Sequence, residues 1–158
     1  MLTAWLGFAL FAQTGPANSS TPLAEVPKLS VEAIAITAGP YGQVWEFQLL
    51  PDGSVDLRVG YILGTPGKLQ GQFGPSKDRV DALRAAIQKQ RFMDLPAEIS
   101  PGMVMAHKPD LRLTITLGDR SHKVRIYSPD QMAKDQEVQR FLMVWKAVFG
   151  NVPIRPSW

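Results

Sequence analysis

Met103, Met105 and His107 alternate through a stretch that carries no helical or strand pattern of its own. In locally extended chain all three side chains point the same way, and two thioethers with an imidazole suit Cu(I) in an oxidising compartment. The plainer alternative is that the methionines fill a gap beneath the stretch as adaptable apolar side chains, with His107 in solvent. A second grouping is Arg112, Lys123 and Arg125, with Tyr127 nearby, on the polar side of two alternating segments. A basic sheet face with an aromatic binds anionic polymers such as phosphorylated envelope glycans or lipid headgroups. Its alternative is the solvated outer face of a two-layer fold, where Lys, Arg and Thr are the expected residues.

Catalytic patterns are sparse. His107 and His122 are the imidazoles of the chain, and neither a Gly-x-Ser-x-Gly elbow nor a Ser-x-x-Lys motif accompanies them. Asp94, Glu98 and Asp110 flank the stretch from Ala97 to Pro109, but proximity in sequence is all that links them. Glycine-rich phosphate loops, EF-hand loops and zinc spacings are also missing. No catalytic residue is assigned, and a hydrolase ranks third among the functional expectations.

The elements that must position these groups are legible from periodicity. Val31 to Thr37 is β-rich, with Glu32, Ile34 and Ile36 on one face. Val44 to Leu50 and Ser54 to Gly60 surround Pro51-Asp52-Gly53, which predicts a hairpin. Leu69 to Phe73 forms a further strand. Ser76 is placed to cap a helix bearing Val80, Leu83, Ala86, Ile87 and Phe92 at helical spacing. Ala97 to Pro109 reads as a loop, long for a compact domain and so a candidate functional segment. Leu111, Leu113, Ile115 and Leu117 then alternate with polar residues, turn at Gly118-Asp119, and return through Val124 and Ile126. Ser128, Pro129 and Gln131 match the opening of a second helix carrying Val138, Phe141, Leu142, Trp145, Val148 and Phe149. The expected architecture is α+β: an antiparallel sheet of two hairpins plus extra strands, with two helices packed on one face. Trp45, Phe47, Leu113, Ile115, Val138, Leu142 and Trp145 form its expected core.

Met1 to Ala17 carry no charged side chain, and Leu2 to Ala12 are an apolar run followed by small residues and a Gly-Pro break. That outline predicts a signal peptide over residues 1–17, then a linker over 18–29, the domain over 30–150 and an irregular tail over 151–158. The run is too short to cross a bilayer, which needs about twenty residues. The 158-residue chain is of single-domain size, and it contains no cysteine. Disulfides and thiolate chemistry are thereby excluded, and stability must come from burial. A net charge of +3, with no block of like charge, gives no nucleic-acid signature.

Several local sequences share a pattern: Ile34-Ala35-Ile36 before Gly39-Pro40-Tyr41, Trp45 to Leu49 followed by Asp52-Gly53 and Val55, Phe92-Met93-Asp94-Leu95 after a helix, and Thr114-Ile115-Thr116 before Gly118-Asp119. In these the chain resembles a family of small secreted bacterial α+β domains of unknown function, over residues 30–149. The resemblance implies an envelope location and the element order above, and it implies no activity.

The functional expectation is a secreted or periplasmic, non-catalytic binding domain, a monomer or weak oligomer whose partner is an envelope protein or an anionic ligand. Handling of copper or another soft metal through Met103, Met105 and His107 is the alternative.

Overall fold

The computed structural model describes residues 28–37, 42–62, 67–103 and 106–150. The expected signal peptide, most of the linker, the tail and Met105 lie outside these residues. Seven strands run Leu29–Ile36 (β1), Gln43–Leu49 (β2), Val55–Tyr61 (β3), Lys68–Phe73 (β4), Glu98–Ile99 (β5), Asp110–Leu117 (β6) and Arg120–Tyr127 (β7). Two helices span Lys77–Lys89 (α1) and Gln136–Phe149 (α2). The strands form one sheet in the order β4-β3-β2-β1-β6-β7-β5, antiparallel except where β5 lies parallel to β7. The fold is α+β, as the periodicity predicts.

The first strand is the hinge of the architecture, because β1 pairs with the first hairpin on one side and the second hairpin on the other. Registers align the apolar residues into rows across the sheet. Leu57, Phe47, Ala33, Leu113 and Val124 form one row; Val59, Trp45, Ala35, Leu111 and Ile126 form the next. Ala33 and Ala35 are fully buried where the helices cover the sheet. The core therefore uses the Val31, Ala33, Ala35 side of β1, and the Glu32, Ile34, Ile36 side faces outward. Leu29, inside the expected linker, already belongs to the sheet and is fully buried.

Both helices lie over this inner face. α1 contributes Val80, Leu83 and Ile87, and Ser76 caps it as expected, its Oγ accepting from Arg79 N at 3.3 Å. α2 contributes Val138, Phe141, Val144, Trp145, Val148 and Phe149. Its aromatic rings chain together: Phe141 stacks on Trp145 at 5.8 Å, Trp145 meets Phe149 at 4.9 Å, and Phe149 meets Phe47 of β2 at 5.1 Å. Leu142 departs from the expected core and is only partly buried. Phe141, Val144, Trp145 and Val148 occupy the inward stripe at i, i+3, i+4 and i+7, which turns Leu142 towards the flank.

The start of α2 also differs from expectation. Ser128 has φ 54° and makes no cap; it heads a single 3₁₀ turn over Pro129–Met132. A helix cap needs extended backbone, whereas Ser128 N is committed to Pro109 O at 2.8 Å, closing the open end of the β6–β7 hairpin. The cap falls instead to Asp135, whose Oδ1 accepts from Glu137 N at 2.8 Å and Val138 N at 3.1 Å. The connection between α1 and β6 is likewise not pure loop. Glu98–Ile99 joins the sheet edge as β5, with Ile99 buried and Ala97 O accepting from Arg125 N at 2.9 Å.

Candidate functional site

The outer face of the sheet carries the groups that alternation turns away from the helices, and the pairing puts them in rows. One row reads Arg58, Glu46, Ile34, Arg112, Arg125; the next reads Asp56, Gln48, Glu32, Thr114, Lys123. The third reads Val44, Ile36, Asp110, Tyr127. Arg112, Lys123, Arg125 and Tyr127, singled out from the sequence, thus share one face of β6 and β7. Carboxylates dominate the half over β1–β3, around a shallow depression of about 190 Å³ lined by Glu32, Ile34, Glu46, Gln48, Asp56 and Arg58. Cations dominate the half over β6 and β7.

Asp110 organises the cationic half. Its side chain is only 8% exposed, while Arg112 and Arg125 are 34% and 40% exposed. Arg112 donates from Nη2 to Oδ2 at 2.8 Å and from Nε to Oδ1 at 3.3 Å. Arg125 donates from Nη2 to Oδ2 at 3.0 Å and from Nε to Oδ1 at 3.1 Å. One carboxylate therefore receives two guanidinium forks, the geometry that makes arginine pairs directional and strong. Burial pushes the Asp110 carboxyl up, but hydrogen bonds from Arg112 and Arg125 and their charges outweigh it, holding the group below the usual carboxylate range. The hydrogen bond to Asp110 likewise raises Arg125. Glu98 stands off Arg125 Nη1 at 3.9 Å, a loose and solvent-screened approach.

No known protein family matches this chain. No characterised protein is detectably similar to it in sequence either.

Met105 lies outside the described residues, and among the described ones the remaining sequence candidates do not come together. Met103 is 76% exposed, so it does not fill a gap beneath its segment. His107 is exposed and has φ 62°, which interrupts the extended alternation that would align it with Met103. Among the described residues no cluster of three His, Asp or Glu side chains is placed to hold a metal ion. His122 Nε2 lies 2.8 Å from Leu95 O, and its ring meets the edge of Phe92 at 5.8 Å, which ties it to packing. Of the carboxylates near that segment, Asp94 pairs with Arg91 at 3.0 Å and Asp110 is held by its two arginines.

Proposed function

We propose that the chain is a non-catalytic binding domain that works outside the cytoplasm and meets its partner through the open face of its sheet. The observation that carries this reading is the division of that face. An acidic half and a cationic half lie side by side on rigid strands, and neither helix covers them. Binding groups placed on strands keep their spacing without an ordering cost at the moment of contact. The apolar run over Leu2–Ala12, ending in small residues, and the resemblance to small secreted bacterial domains support export.

Two measurements test the two parts. N-terminal sequencing of protein recovered from a bacterial host should find the mature chain starting after residue 12; an intact Met1 would overturn export. Amide chemical-shift mapping against phosphate, anionic vesicles and envelope glycans should concentrate its changes on β1, β2, β6 and β7. Changes confined to the helices or to residues 97–109, or no change with any probe, would overturn the open-face reading.

A further inference from the structure

We propose that Arg112 and Arg125, held side by side by Asp110 and supplemented by Lys123, form a clamp for a phosphate group. This rests on the open-face reading above and names the chemistry of its ligand. Two guanidiniums directly opposite each other on neighbouring strands repel, and without an anion between them they would splay into solvent. Asp110 removes that repulsion from the side, beneath the surface, and uses Nε and Nη2 of each arginine to do so. Nη1 of both arginines has no hydrogen-bond partner among the described residues, apart from the 3.9 Å approach of Glu98 to Arg125.

Lys123 adds a third cation. It faces Thr114, the pair next to Arg112 and Arg125 on the same side, about 7 Å along the strands. It is exposed and makes no ion pair among the described residues. Arg112, Arg125 and Lys123 stand against Asp110 and Glu98, with Glu32 across Thr114 in the row of Lys123, so local geometry and not a net charge must favour the ligand. Two planar donors and a flexible ammonium on one sheet face suit a tetrahedral oxyanion with several free oxygens. Displacing Glu98 from Arg125 removes only a screened contact at an exposed side chain.

The clamp differs from a mere basic patch in one testable respect. A patch depends on charge, whereas the clamp depends on fork geometry that lysine cannot reproduce. Calorimetric titration of the full chain with inorganic phosphate at low salt, with flotation on phosphatidic acid vesicles against phosphatidylcholine vesicles, separates a free ligand from a lipid headgroup. Saturable binding in either arm is expected, absent on phosphatidylcholine, and at least tenfold weaker in the Arg112→Lys/Arg125→Lys double variant. Lys123→Gln should weaken it by a smaller factor. No binding in both arms, or binding undiminished in the double variant, would overturn the clamp. If phosphate fails while a neutral glycan still shifts the outer strands, the clamp falls and the open-face reading stands.

Discussion

The two faces of this sheet are built from the same strands, often from adjacent residues, yet opposite rules govern them. On the inner face Leu111, Leu113 and Ile115 are fully buried among mostly apolar neighbours, with His122 the polar partner opposite Ile115. On the outer face the residues between them, Arg112 and Thr114, meet charge and water. Position along the strand decides nothing; parity decides everything. Stability concentrates on the inner face, through area removed from water and ring contacts along α2. The outer face holds its shape mainly where a carboxylate is itself nearly buried, at Asp110. A face can therefore be braced most tightly at one point and stay open to solvent around it, which is what a binding surface on a rigid scaffold requires.

Substitutions should expose this division, beginning with the largest effect. Phe141→Ala removes a fully buried ring that meets both Phe92 and Trp145, and should cost about 3–5 kcal/mol in chemical denaturation. A cost near that of a surface change would mean α2 does not seal the inner face. Asp110→Ala leaves two guanidiniums facing each other across β6 and β7. It should cost roughly 2–4 kcal/mol, less than a fully buried pair because both arginines reach water.

The same carboxylate should leave a signature in acid. Its pKa is lowered on folding, so the folded state favours the charged form. Its stabilisation is complete above the unfolded carboxylate range near about pH 4 and is lost as the pH falls below it. Wild type should therefore lose stability there more steeply than Asp110→Asn, and parallel acid profiles would contradict the bracing role.

Smaller effects sharpen the contrast. Leu142→Ala, at the flank of α2, should cost only about 1 kcal/mol, well below Phe141→Ala despite adjacency in sequence. Glu46→Lys, exposed and without an ion pair among the described residues, should stay within about 0.5 kcal/mol of wild type. A large loss there would show that the outer face is knitted together beyond Asp110.

Much of the inner face was legible in the sequence, because alternation and helical spacing report burial directly. Trp45, Phe47, Leu113, Ile115, Val138 and Trp145 follow from periodicity alone. Leu142 and the cap at Asp135 did not, because both depend on how α2 rotates and where its preceding 3₁₀ turn stops. β5 escaped for a different reason: two residues carry no periodicity, and their strand character comes from the β7 edge that receives them. On the outer face, alternation placed Arg112, Lys123 and Arg125 together but said nothing of their partner. Asp110 carried a usable signal all the same. It stands two residues before Arg112 on the same strand face, and the tight Gly118-Asp119 turn fixes Arg112 opposite Arg125. What no local pattern could supply was the burial of that carboxylate beneath both guanidiniums. The acidic half was also invisible, since it joins Glu32, Glu46 and Asp56 from three strands.

Asp110→Asn offers the most direct test of the outer-face site, because charge and geometry then push affinity in opposite directions. The variant gains one positive charge, so a simple basic patch would bind phosphate more tightly. A braced clamp loses its brace, and phosphate affinity measured by calorimetry at neutral pH should fall several-fold despite the added charge. A rise in affinity, with the fold intact by circular dichroism, would contradict the clamp.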